Sequence, residues 1–169
     1  QLYYWAFDLA MKYNLEGNSA WYKSQHKIAD KLIYSQLRKA IGGDWDVIVS
    51  GSAAIQPQLV SFFTAIGMPI FEGYGLTETS PVIAVSNREP HGCCAGTVGF
   101  PIQGVEVKIA ENNEIICRGH NVMKGYYKAP DITAEAIDKD GWFHTGDTGI
   151  ITEYGQLKIT GRLKSIFKT

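Results

Sequence analysis

The 169 residues are 45% apolar and 12% aromatic, enough to bury a core, and this excludes an intrinsically disordered chain. Sixteen Lys and Arg against 17 Asp and Glu give a formal charge of -1, without the basic excess on which sequence-independent nucleic-acid binding depends. The most apolar stretch, 60–71, is interrupted by Ser61, Thr64, Gly67 and Pro69 and falls short of the ~20 residues that span a bilayer.

The first third reads as helical. Leu2, Trp5, Ala6, Leu9, Ala10 and Tyr13 recur on one helix face, with Gly17 as a stop. Asn18 or Ser19 can cap a second helix, whose expected core stripe is Ile28, Leu32, Ile33, Leu37 and Ile41, ended by Gly42 and Gly43. A β-α-β unit follows. Val47, Ile48 and Val49 form a short buried strand, and Pro57 suits the first turn of a helix with face Leu59, Phe62, Phe63 and Ile66. Pro69, Ile70 and Phe71 begin a second strand, which such a connection makes parallel to the first. The loops 51–55 and 73–79 then lie at the carboxyl ends of neighbouring strands, the edge where open α/β sheets bind ligands.

From about Gly96 onward the pattern changes. Val105, Val107 and Ile109 alternate with polar residues, Asn112 and Asn113 can turn, and Ile115, Ile116 and Cys117 follow. Residues 149–152 and 157–160 read as a hairpin about Tyr154 and Gly155, and a short helix over 132–137 precedes it. The expected class is α/β: part of a layered parallel-sheet domain over 1–95, then a small β-rich subdomain, a distorted barrel, over 96–169. Cys93 and Cys94 are adjacent and Cys117 is remote, which fits neither metal-ligand spacing nor a disulfide framework. Reduced thiols, no signal-peptide pattern and a cytoplasmic location are the expectation.

Chemistry-bearing residues concentrate in loops. In Gly73-Tyr74-Gly75-Leu76-Thr77-Glu78-Thr79, the glycines allow close approach of backbone to a ligand and Tyr74 offers a flat face for a base. Thr77 offers a hydroxyl to phosphate, and Glu78 a hard oxygen to Mg²⁺. The same pattern, taken alone, is equally that of a turn. Asp147, in Thr145-Gly146-Asp147, either accepts both hydroxyls of a ribose or closes its own tight Gly turn before a strand. Arg162 and Lys164 either meet phosphate or ribose or form a solvated chain end. His144 has no evident carboxylate or nucleophile partner, so it reads as structural rather than as a general base.

The segments 72–79, 141–147 and 161–164, in that order, resemble the adenylate-forming (AMP-binding) superfamily of acyl-CoA synthetases, luciferases and peptide-synthetase adenylation domains. Ser50-Gly51-Ser52-Ala53-Ala54 resembles its adenine-side loop, and Glu114 to Gly119 with Val122 to Tyr127 its Gly-Glu-Leu and Gly-Tyr segment. Ile28 to Leu32 with Arg38, Gly42 and Gly43 looks most like the long-chain fatty acyl-CoA synthetase branch.

The resemblance implies an ATP-dependent acid–thiol ligase using ATP, Mg²⁺, a fatty acid and coenzyme A by way of acyl-AMP. It places Gly51 and Ala53 against adenine, with Gly73 and Tyr74 closing the other side. It sets Thr77 on phosphate, Glu78 on Mg²⁺, Asp147 and Arg162 on ribose, and Lys164 at the hinge between two poses of a C-terminal domain. Four positions depart from the family pattern. Ser52 and Ala54 replace the commoner Gly and Pro, Asn113 stands where Gly usually precedes Glu114, and Ser165 replaces an acidic residue after the hinge. Neither a Gly-rich phosphate loop with Lys before Gly51 nor a catalytic Lys after Thr169 is present, and Gln1 is not Met, so the expectation is an excised part of a longer enzyme, inactive alone. Another adenylate-forming ligase, for aryl or medium-chain acids, and a non-catalytic nucleotide-binding module are the alternatives. A long-chain acyl substrate carries the further expectation of peripheral membrane contact.

Overall fold

The computed structural model describes residues 1–14, 17–43, 45–89 and 91–163. Helix α1 (Leu2–Met11) turns Ala6, Leu9 and Ala10 inward. Ser19 caps α2 (Ala20–Ala29), its hydroxyl accepting the Tyr22 N–H at 3.2 Å. A π-helical turn, Asp30–Tyr34, then leads into α3 (Ser35–Ala40).

Here the expected stripe is corrected. Of its members only Ile33 is buried, and Ile28, Leu32, Leu37 and Ile41 are all exposed. The inward face instead carries Tyr22, His26, Ala29, Ile33, Tyr34 and Arg38, whose polar atoms find carbonyl partners. Tyr34 donates to Ala6 O at 2.6 Å and Tyr22 to Leu9 O at 2.7 Å. Satisfied polar aromatics bury as readily as aliphatics, so apolarity alone selects the wrong face. The π turn also inserts an extra residue into the helical phase. Leu2 of α1 and Leu59 of the fourth helix are likewise exposed rather than inward-facing.

Helix α4 (Pro57–Ala65) begins with Pro at its first turn and buries Val60, Ala65 and, just past its end, Ile66. Its terminal carbonyls are capped from the helical layer. His26 Nε2 donates to Ala65 O at 2.6 Å, and Arg38 Nη1 donates to Ile66 O and to Asp30 Oδ1, both at 2.6 Å. Arg38→Ala is therefore expected to cost about 2 kcal/mol, the value of a charge-assisted bond to a partly buried carbonyl. Urea titration of the variant beside the unsubstituted protein measures it.

Strands β1 (Ile48–Ser50) and β2 (Ile70–Tyr74) flank α4 and pair in parallel, with Ser50 opposite Glu72. This is the expected β-α-β unit, but its first strand is not the buried one expected: Val47 and Val49 are exposed and Ile48 is half-buried, because β1 has β2 on one side and no other strand pairs with it among the described residues. β2 then pairs antiparallel with β3 (Ala84–Val85), and β3 with β4 (Phe100–Pro101). The second sheet is a meander of β5 (Val105–Ile109), β6 (Glu114–Gly119), β7 (Phe143–Ile151) and β8 (Leu157–Arg162), curled into an antiparallel half-barrel. A short helix, α5 (Pro130–Ala136), falls between β6 and β7. The architecture is thus α/β, with a parallel-containing sheet and a β-rich second sheet.

Bonds from Val98 N to Leu157 O and from Leu157 N to Gly99 O, both 2.8 Å, tie the two sheets together. Two apolar cores result. One joins α1, α2, the π turn and α4 through Ala6, Leu9, Ile33, Tyr34 and Met68; the other joins Tyr74 and Ile83 to Val105, Ile115, Cys117, Phe143 and Leu157. All three cysteines are free thiols, and burial pushes Cys117 up to about 11. Among the described residues no helix is long and apolar enough to cross a membrane.

Candidate functional site

Parallel pairing of β1 with β2 brings the two nominated loops side by side. A methyl group placed on Gly51 would sit 3.6 Å from the Gly73 carbonyl oxygen, ordinary contact distance, while Gly51 and Ala53 remain exposed. Ser52 stands at φ +67, a left-handed conformation that suits Gly better. The departure at Ser52 is therefore accommodated with backbone strain. Asn113 at φ +65 is easier, because Asn tolerates this region.

Past β2 the chain passes Gly75 and makes a 3₁₀ turn, Thr77–Thr79. Thr79 is fully buried, and its hydroxyl accepts the Leu76 N–H at 2.9 Å, which anchors the turn. Thr77 stays exposed and Glu78 half-buried. The segment after β6 clasps this turn at three points. Asn121 Nδ2 donates to Val82 O at 2.8 Å, Met123 N to Glu78 O at 2.8 Å, and the Tyr126 hydroxyl to Glu78 Oε1 at 2.9 Å. That last bond raises the Tyr126 phenol above its ordinary value and keeps it a donor.

The third part centres on Asp147, and here the structure corrects the expectation of a tight turn before a strand. Thr145, Gly146 and Asp147 lie inside β7, which begins at Phe143 rather than at 149. Thr148 pairs with Glu114 and His144 with Ile116, so three residues of β7 oppose the single Ile115. The surplus forms a bulge, with Gly146 at φ +73. Bulges do not show in an alternation pattern, so periodicity alone starts this strand six residues late.

Asp147 is buried, and both of its oxygens are engaged. Oδ2 accepts from the Tyr74 hydroxyl at 2.8 Å and Oδ1 from Arg162 Nε at 2.7 Å. Burial, and then the carboxylate beside it, drives the Tyr74 phenol far above its ordinary value, so it remains a donor. Arg162 itself is mostly in solvent. Tyr74, Asp147 and Arg162, separated by 73 and 15 residues, are thus one connected group.

Tyr126, Glu114 and Thr145 carry bonds that no role was assigned from sequence. Glu114 accepts the Gly146 N–H at 2.9 Å and bonds His144 Nδ1 at 2.9 Å. His144 therefore has a carboxylate partner after all, 30 residues earlier, and Asp138 lies 3.8 Å from its other nitrogen. Only strand pairing reveals this. Lys164 and Ser165 lie outside the described residues.

Glu78 suits a hard cation in one way. Tyr126 holds Oε1, while Oε2 accepts no hydrogen bond from the described residues. Among those residues no cluster of three His, Cys, Asp or Glu could cage a metal. A single carboxylate oxygen is the donor set for an Mg²⁺ that arrives on phosphates and keeps its waters.

The sequence matches the AMP-binding enzyme family over residues 11–127. It is 42% identical over 147 residues to the long-chain-fatty-acid–CoA ligase FadD15 of Mycobacterium tuberculosis, an alignment covering 87% of this chain and 24% of that protein. Over 156 residues it is 39% identical to long-chain-fatty-acid–CoA ligase 5 of Rattus norvegicus, covering 85% and 22%. The fold is similar to apo MatB from Rhodopseudomonas palustris, with TM-score 0.65, 29% identity and coverage of 74% and 27%. It is also similar to a Mycobacterium tuberculosis fatty acyl CoA synthetase, with TM-score 0.61, 28% identity and coverage of 70% and 25%. The chain spans about a quarter of the length of the curated relatives it matches.

Proposed function

The chain belongs to the AMP-binding enzyme family, and on that premise we propose that it is the nucleotide-holding part of an ATP-dependent long-chain fatty acid–CoA ligase. In the first half-reaction a carboxylate oxygen attacks the α-phosphorus of ATP, the bond to pyrophosphate breaks, and pyrophosphate leaves with the electron pair. In the second, the sulfur of coenzyme A attacks the acyl carbonyl and AMP leaves. Neither step needs a protein nucleophile. Both need nucleotide held rigidly and phosphate charge offset.

The observation that carries this reading is the Tyr74–Asp147–Arg162 group. Each Asp147 oxygen has a second lone pair, so a carboxylate fixed by two donors can still accept two ribose hydroxyls. Arg162, largely in solvent, borders the same position. Adenine would then lie between the loop of Gly51 and Ala53 and that of Gly73 and Tyr74, with Thr77 toward phosphate. Glu78 would hold Mg²⁺, which when bound offsets charge on the phosphate oxygens. Lys164 is read as the hinge residue. The substrate's aliphatic chain supports peripheral membrane contact, and the free thiols a cytoplasmic location.

The test is ATP–pyrophosphate exchange with a long-chain acid in the full-length protein. Glu78→Ala is expected to lower exchange about 100-fold, since loss of one hard ligand to phosphate-bound Mg²⁺ costs several kcal/mol of transition-state stabilisation. The circular dichroism spectrum should not change, because the turn is anchored by Thr79. Full exchange in the variant, or no exchange with any fatty acid in the unsubstituted protein, defeats the proposal.

A further inference from the structure

We propose that Glu114 is a positioning residue for the nucleotide site, its carboxylate holding the β7 bulge in the shape that presents Asp147 to ribose. The proposal rests on the ribose reading of Asp147. Glu114 does not face nucleotide; it acts through the backbone.

The geometry runs as a chain of contacts. Three residues of β7 oppose Ile115 alone, so the backbone of the bulge has lost regular ladder partners. Glu114 and Thr145 replace them. Glu114 Oε1 accepts the Gly146 N–H at 2.9 Å, and the Thr145 hydroxyl donates to Ile115 O at 2.7 Å and accepts the Asp147 N–H at 3.1 Å. Glu114 Oε2 meets His144 Nδ1 at 2.9 Å, on the near side of the bulge. One carboxylate therefore grips the bulge at its entry and at its apex.

Glu114 is itself fixed. It is 5% exposed, and the Asn112 side chain accepts its N–H at 3.1 Å from within the hairpin. Space does not explain Gly146, because a methyl group there would meet nothing within 4 Å; the backbone conformation at φ +73 does. A conformation that strains most residues persists only where its surroundings enforce it, and the buried carboxylate is the group that bonds this N–H.

Glu114→Gln leaves a separable signature. Its amide oxygen can still accept the Gly146 N–H, whereas the methyl of Glu114→Ala offers that N–H no acceptor.

The experiment measures dissociation constants for AMP and 2′,3′-dideoxy-AMP by calorimetry, in the full-length protein and in Glu114→Ala, Glu114→Gln and Asp147→Ala. Their ratio reports the grip on ribose, and dideoxy-AMP alone reports the adenine and phosphate contacts. The unsubstituted protein should prefer AMP at least 10-fold, and Asp147→Ala should bind both equally. Glu114→Ala should lose most of the preference with little change for dideoxy-AMP. Glu114→Gln should keep more of the preference than Glu114→Ala, because its amide oxygen still accepts the Gly146 N–H. Should Glu114→Ala fail to fold, Glu114→Asp, whose carboxylate is one methylene shorter, takes its place and should lose the preference that Glu114→Gln keeps. A full preference in Glu114→Ala or in the Glu114→Asp that replaces it, equal losses for both ligands, or as great a loss in Glu114→Gln overturns the proposal. No preference in the unsubstituted protein overturns the ribose reading itself.

Discussion

Gly75→Ala should disable the protein more thoroughly than any other single methyl group added near the site. A Cβ at this position would sit 1.7 Å from the carbonyl oxygen of Pro81, 2.7 Å from its carbon and 2.8 Å from the Val82 Cα. All three are backbone atoms, and no rotamer change relieves the overlap. The segment between β2 and β3 must open, and the neighbouring bond from Ile83 N to Tyr74 O, 2.8 Å, opens with it. The expected cost is about 3 kcal/mol or more, with adenylation falling on the order of 100-fold or more, because Thr77 and Glu78 ride on this segment. Gly73→Ala is the control: its Cβ meets nothing nearer than 3.8 Å, and it should change stability by less than about 1 kcal/mol. Urea unfolding of both variants measures the contrast in stability, and pyrophosphate exchange measures the loss of activity in Gly75→Ala; equal losses of stability would contradict the expectation.

Asp147→Ala is expected to reduce both half-reactions together, by on the order of 1,000-fold, if each lost bond to ribose is worth the usual 1.5–3 kcal/mol of a charged hydrogen bond. Ribose is held from ATP binding through AMP release, so neither step escapes. The substitution also leaves the buried Tyr74 hydroxyl without its acceptor, a stability cost of about 1–3 kcal/mol. A Tyr74→Phe/Asp147→Ala double variant should recover part of that stability and none of the activity. Thioester formation and pyrophosphate exchange assayed separately check the result; loss confined to one of them would place Asp147 elsewhere in the cycle.

Local chemistry made much of this molecule legible in the sequence. Pro57 and Gly67 bracket α4 as turn chemistry requires, and the two loops at the carboxyl ends of β1 and β2 adjoin. Tyr74, Asp147 and Arg162, nominated separately, form one hydrogen-bonded group. What stayed hidden depends on distant strands or on satisfied polarity. Glu114 was visible as a motif residue, but its grip on Gly146 exists only once β6 pairs with β7. Hydrophobic periodicity selects the wrong face of α2 and α3 because Tyr22, His26 and Tyr34 turn inward through their hydrogen bonds, which it cannot weigh.

The π turn at Asp30–Tyr34 bears on which changes of chain length this protein can absorb. A π turn is a helix carrying one residue beyond the α-helical count, and each residue advances the spiral by about 100°. Deleting any one residue within it would leave a continuous hydrogen-bonded helix, locally more regular than before. Everything downstream would keep its place, because the turn already absorbs that residue: Ala29 and Tyr34, five apart, share the inward face that four residues span in an α-helix. A deletion within α2 or α3 would instead rotate all that follows by about 100° and swing Arg38 off the Ile66 carbonyl that it caps. Loss of one exposed residue, Lys31 or Leu32, should therefore spare the joint between the helical layer and α4 that the same loss a turn earlier or later dismantles.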